Sequence, residues 1–233
     1  MGTTHHSILF LSGAGLPPWI WDDVRHRLDD AHVTQVAPRP AGRETGLRDY
    51  AAAALDSMPA ELFTIVAHSA GGVVGAEVTQ LAPERVAGFL GVSAIVPRPG
   101  DSFLTAMPAP NRWILSAAMR LAGTRPPDSA IRASLAHGLD AQIADRLLAD
   151  FTPEPQGYYR DRIGSRPWSG RRGYLATAAD RELPPALQRR FSTNLAPSWR
   201  REIATGHLPM LESPDALAES IALFLDGRTE GSV

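Results

Sequence analysis

Ser69 stands in the stretch Ala67-His68-Ser69-Ala70-Gly71, between a strongly apolar run and a run with helical spacing. A serine hydroxyl is a weak nucleophile until a neighbouring base takes its proton, so reactivity here calls for partners elsewhere in the chain. A nucleophile elbow needs small residues two before and two after the serine, because strand and helix backbones nearly touch at so sharp a turn. Ala67 and Gly71 meet that need, and Gly72 adds further close approach. The usual pattern has Gly at the first of these positions, so this is an Ala variant. The same residues equally suit a serine that caps the following helix; the local pattern leaves both readings open.

Two other residues are placed to act with it. His207, in Thr205-Gly206-His207-Leu208, falls on a loop after the last predicted strand and before the final helix, where it could lean over the strand ends or simply lie on the surface. Asp180 follows the strand-like Tyr174-Leu175-Ala176-Thr177 and faces the crevice where open α/β sheets bind ligands, unless it is an exposed helix-capping residue. Ser69, Asp180 and His207 come in the order nucleophile, acid, base, 111 and 27 residues apart, each on the C-terminal side of a predicted strand. Their joint occurrence points to nucleophilic catalysis. His5, His6, His26, His32 and His137 lack an acid or serine in comparable context, and no His, Asp or Glu grouping has metal-ligand spacing. Ser12-Gly13-Ala14-Gly15 is a Gly-rich turn, but Pro17 and Pro18 stand where a dinucleotide fingerprint needs its third glycine.

Composition narrows the chemistry. Without cysteine there is no thiolate catalysis, disulfide or Cys-ligated metal. All 23 basic residues are arginine, which excludes Schiff-base chemistry and suggests a bacterial gene of high GC content. A formal charge of -2 gives no reason to expect nucleic acid or an anionic membrane as partner, and the Arg doublets at 171/172, 189/190 and 200/201 read as solvated charge. The first residues have neither the basic nor the apolar region of a signal peptide, and no apolar run reaches about 18 residues. A cytoplasmic protein is expected.

The elements that must position these residues follow from periodicity. Strands are predicted at 7–12, in His32–Pro38, Leu62–His68, Arg85–Val96, Gly173–Asp180 and Ser198–Ala204, with helices between them in 17–31, 46–58, 69–82 and 184–192, and a capped final helix from Ser213. Alternation of this kind implies an α/β fold with a mostly parallel central sheet and helices on both faces. The pattern breaks at residues 99–167, where helical stretches are separated by Pro-rich turns such as Thr152-Pro153-Glu154-Pro155. The expected organisation is a core formed by 1–98 and 168–233 carrying a helical cap at 99–167, with a frayed tail.

Taken together, residues 7–24, 66–103, 173–191 and 205–225 resemble the α/β-hydrolase fold superfamily, in its compact branch of plant methylesterases, hydroxynitrile lyases and bacterial esterase-like proteins. The resemblance implies that Ser69 attacks a carbonyl, His207 relays the proton and Asp180 orients the histidine, with the backbone N–H groups of Ala14 and Ala70 as oxyanion hole and no cofactor. Some members place the acid after the strand before the cap, which makes Asp101 an alternative, and Glu182 lies two residues past Asp180. Relatives commonly carry His-Gly where this chain has Ser12-Gly13, which bears on how the front turn is braced. Leu208 stands where the lyase subgroup has a lysine, which argues against lyase chemistry of that type. Phe103, Leu104, Met107, Trp113, Tyr158 and Tyr159 either line a substrate pocket under the cap or pack it onto the core. The expected function is a serine hydrolase acting on a small or medium apolar ester, lactone or thioester. The alternatives are a lyase, cyclase or C–C bond hydrolase using the same residues, or a small-molecule binding protein on the same fold.

Overall fold

The computed structural model describes residues 6–28, 32–42, 44–165 and 167–227. His5 and the tail beyond Gly227 lie outside the described residues. Among the described residues, six strands, β1 (Ser7–Leu11), β2 (Val33–Val36), β3 (Phe63–His68), β4 (Val86–Val92), β5 (Arg171–Thr177) and β6 (Trp199–Ile203), form one sheet in the order β2-β1-β3-β4-β5-β6. Every pairing is parallel. The strands between the edges are apolar almost throughout because both faces of a parallel sheet are covered.

Alternation along each strand divides the core. Leu9, Leu11, Phe63, Ile65 and Ala67 face α2 (Leu47–Ser57), α3 (Gly71–Leu81) and α9 (Pro185–Leu195). Ile8, Phe10 and Val66 point the other way, toward α1 (Asp22–Arg27) and α11 (Pro214–Asp226). A period of two in the strands thus meets helices packed on opposite sides.

The expected first helix is shorter than its periodicity suggests, a 3-10 turn at Pro18–Trp21 followed by the two turns of α1. β4 stops at Val92, where Ser93 enters the left-handed region with φ 42°. In α11, Ser213 holds the cap position without a side-chain bond to the helix, and Gly227 closes the other end at φ 80°. The doublet Arg171 and Arg172 is not simply solvated, since the two guanidinium groups lie over the rings of Phe224 and Trp168.

Between β4 and β5 the chain forms α4 (Phe103–Ala106), α5 (Asn111–Ala122), α6 (Asp128–Ala133), α7 (Ala141–Asp150) and α8 (Gln156–Arg160). Among the described residues, no helix is long and apolar enough to cross a membrane.

Candidate active site

The elbow is visible in the backbone. Ser69 follows β3 with φ 52°, in the left-handed region that costs a non-glycine residue on the order of 1–3 kcal/mol. Its neighbours hold it there: the Ser69 N–H donates to Val92 O at 3.3 Å, and Ser69 O accepts from Gly72 N–H at 3.0 Å and Ile95 N–H at 2.8 Å. A Cβ on Gly71 would come within 2.5 Å of Leu11 O and 2.6 Å of Ser12 O, so no larger residue fits between the start of α3 and the end of β1. The helix cap position belongs to Ala70, not Ser69.

Freed from capping, the Ser69 hydroxyl meets His207 Nε2 at 3.0 Å. His207 is 1% exposed on the loop between β6 and α10 (Pro209–Glu212), and its Nδ1 lies 2.8 Å from Asp180 Oδ2. That same oxygen accepts from Ser93 Oγ at 2.6 Å, Thr177 Oγ1 at 3.0 Å and Gln188 Nε2 at 3.4 Å. Asp180 Oδ1 accepts from the N–H groups of Glu182 and Leu183 at 2.9 and 2.7 Å. Burial alone would raise the pKa of this carboxyl. The hydrogen bond and charge of His207, joined by the Ser93 and Leu183 donors, outweigh that and hold it at about 2. Ionised at neutral pH, Asp180 keeps a proton on His207 Nδ1 and leaves Nε2 free to accept one.

The competing acids sit elsewhere. Asp101 accepts from Thr105 Oγ1 at the start of α4, and the exposed Glu182 carboxylate accepts from Ser134 Oγ.

The turn after β1 packs directly against Ser69: a Cβ on Gly13 would lie 2.9 Å from Ser69 Cβ. Leu16 N–H closes the turn onto Gly13 O at 3.2 Å, with Ala14 and Gly15 in the middle and Gly15 at φ 81°. Trp21 Nε1 donates to Ser12 Oγ at 3.0 Å, so Ser12 has its own brace. Ala70 N–H is in the first turn of α3, among the amides no carbonyl of its own helix receives.

Several contributors carry no sequence signal of their own. His68 is fully buried, its ring 4.7 Å from that of His207, and Nε2 bonds the His207 carbonyl at 2.8 Å. Burial, with the charge of His207 next, pushes its pKa down to about 3. Ser93 after β4, Thr177 in β5 and Gln188 in α9 converge on Asp180, and Ser93 is far from it in sequence. Glu154, in a turn that reads as Pro-rich punctuation, places its carboxylate 2.9 Å from Gly15 N.

A cavity of about 310 Å³ opens beside the front turn, lined by Leu11, Leu16, Ala37 and Val74 with Tyr50 and Glu154 among its polar residues. Tyr158 also lines it. Phe103 and Met107 are buried in the core cluster, together with Leu104 and Tyr159, and Trp113 is 61% exposed on α5. The structure therefore brings Tyr158 to this cavity and leaves Trp113 outside it. Among the described residues, no three His, Asp or Glu side chains come together to hold a metal ion.

The sequence matches a family model described as the alpha/beta hydrolase family over residues 8–220. The search of curated proteins gave no match. Among solved structures, the chain is similar to an extracellular alpha/beta-hydrolase from a Paenibacillus species (TM-score 0.81, 18% identity, 93% of this chain and 98% of that one). It is similar also to a pyrethroid hydrolase from Sphingobium faniae (0.74, 21%, 96% and 98%) and to a methylesterase from Arabidopsis (0.75, 16%, 95% and 99%).

Proposed function

Because the chain belongs to the alpha/beta hydrolase family, we propose that it is a serine hydrolase that cleaves a small or medium apolar carboxylic ester, lactone or thioester through an acyl-enzyme. The observation that carries this reading is the unbroken chain from Ser69 Oγ through His207 to Asp180, at 3.0 and 2.8 Å, with the serine on a strained elbow.

In the proposed reaction Ser69 Oγ attacks the carbonyl carbon while its proton passes to His207 Nε2. The carbonyl oxygen takes the displaced electron pair and is received by the N–H groups of Ala14 and Ala70. Collapse of the tetrahedral species breaks the bond to the leaving group, which takes the proton from His207 and departs. Water then repeats the sequence on the acyl-Ser69 ester and releases the acid. Asp180 stays ionised throughout and stabilises the imidazolium.

The mostly apolar lining and modest volume of the cavity, whose charged residues Arg39 and Glu154 neutralise each other, support a compact, uncharged acyl or alcohol portion. The segment from α4 to α8 acts as the cap that shields this site. The esterase and hydrolase names of the similar structures agree with ester chemistry.

The test is covalent labelling. A fluorophosphonate probe should add one phosphonyl group to the wild type, seen in the intact mass, and none to Ser69→Ala. A wild type that stays unlabelled at millimolar probe would sink the serine-hydrolase reading.

A further inference from the structure

Glu154 is a carboxylate in an unusual place. It lies between α7 and α8, far in sequence from the site, and its side chain is 4% exposed. Its Oε1 accepts from Gly15 N–H and from Arg39 Nη2, both at 2.9 Å, and its Oε2 accepts from the Tyr50 hydroxyl. The backbone is tied as well, with Thr124 Oγ1 donating to Glu154 O at 2.6 Å. Withdrawing a carboxylate from water costs several kcal/mol, offset only by charge-assisted donors such as these.

What distinguishes the cluster from an ordinary buried ion pair is that one donor is the central amide of the turn against Ser69. With positive φ at its second middle residue, the turn has the type II arrangement, whose central N–H has no partner within the turn. Glu154 supplies that partner. Three residues form a strap on the same glycine: Glu154 takes its N–H, Thr152 N–H donates to its carbonyl at 3.1 Å, and the Phe151 ring fills the space where its Cβ would be, 2.0 Å away. Arg39 ties the strap to the turn, donating to Thr152 O at 2.6 Å and to Leu16 O at 3.3 Å.

We propose that Glu154 is a positioning residue: by holding the Gly15 amide it fixes the Gly13–Leu16 turn so that the neighbouring Ala14 N–H faces the oxygen of a substrate carbonyl on Ser69. The inference rests on the serine-hydrolase reading above. Rotation of the Ala14–Gly15 peptide, which the turn alone permits, would take the Gly15 N–H off Glu154 and change ψ at Ala14, so that the turn no longer holds the adjoining Gly13–Ala14 peptide and its N–H in place; Glu154 opposes it. Glu154 itself touches neither Ser69 nor the reacting carbon.

The experiment follows phosphonylation of Ser69 by a fluorophosphonate, whose P–O group occupies the oxyanion position, with kinact and KI measured separately in folded variants. Glu154→Ala, which leaves Gly15 N–H without its acceptor, should lower kinact by roughly 30- to 300-fold, most of the worth of one oxyanion donor. Glu154 also lines the cavity, yet KI should stay within about threefold, because the lost donor acts on the developing oxyanion rather than on the apolar contacts of the bound probe. Glu154→Gln keeps an acceptor for Gly15 and should recover most of the loss, to within about tenfold of wild type. A folded Glu154→Ala with kinact within about twofold of wild type, or a loss that appears equally in KI, overturns the inference while the serine-hydrolase reading stands. If Glu154→Ala does not fold, Glu154→Asp decides, because it keeps the charge opposite Arg39 but draws the acceptor back from Gly15 N–H: kinact lowered at least about tenfold at unchanged KI supports the role, and an unchanged kinact overturns it. An unlabelled wild type overturns both.

Discussion

At the scale of single residues, Asp180 and His68 are two buried titratable groups with opposite tasks. Asp180 is held ionised by donors on both oxygens. Replacing it by Asn removes the acceptor that fixes a proton on His207 Nδ1, so Asp180→Asn should lower kcat for a p-nitrophenyl ester by about 10⁴ with the protein still folded. His207→Ala should do at least as much, and near-wild-type turnover in Asp180→Asn would move the acid elsewhere. His68 is held neutral. Its unfolded pKa is about 6.5, so below that pH the unfolded chain binds a proton that the native state refuses until about pH 3. Its contribution is present in full above about pH 6.5 and falls by up to ~1.4 kcal/mol per pH unit below it. Asp180, depressed to about 2, adds a loss only at lower pH, between its unfolded value near 3.9 and its folded one. Urea unfolding between pH 7 and 5 should therefore show a steeper pH dependence for wild type than for His68→Gln, and equal slopes would remove His68 as the source. Ser69, Asp180 and His207 were legible from sequence because each is a reactive type at a strand end, in an order that fits a proton relay. Ser93 and Gln188 were not: their role is a hydroxyl or an amide reaching one carboxylate across the fold, which no spacing announces.

At the scale of elements, the tight junction of β1, β3 and α3 is the feature most exposed to substitution. Gly71→Ala places a methyl against two carbonyl oxygens that belong to backbone, so neither can swing aside. It should destabilise by about 1–3 kcal/mol and reduce labelling of Ser69 by a fluorophosphonate, because relief requires the elbow to open. Equal urea midpoints for Gly71→Ala and wild type would contradict the packing argument. α5 provides the contrast: Leu121 is 86% exposed, so Leu121→Ser should change stability by no more than about 0.5 kcal/mol. Strands and long helices announced themselves through periodicity, since one face or both must be apolar to pack. The helices α4, α6 and α8 did not, because pieces of four to six residues have no stability of their own and exist through tertiary contacts. The strap at 151–154 was hidden for the same reason. A Pro-flanked Glu reads as a solvated turn until the chain folds back and buries it.

At the scale of the whole molecule, the proposed site has no local nucleus. Its parts come from the turn after β1, the elbow after β3, Ser93 after β4, Glu154 from the helical segment, Asp180 after β5 and His207 after β6, so almost every crossover of the sheet must be complete before they meet. β4 and β5 are neighbours in the sheet although the whole of α4 to α8 is inserted between them in the chain. Fold class was readable in advance from strand–helix alternation, whereas the convergence of these six segments follows from strand order, which alternation alone does not specify. A site assembled this way should survive only as long as the sheet does. In increasing urea, the rate of Ser69 phosphonylation and the far-UV circular dichroism should therefore fall with coincident midpoints, as expected when one cooperative unit carries both signals. Loss of labelling at clearly lower urea, with the dichroism intact, would show instead that the front turn and its strap open as a separate, weaker unit. In that case the weak point should move with Glu154: the labelling midpoint of Glu154→Ala would drop further while its dichroism midpoint shifted less.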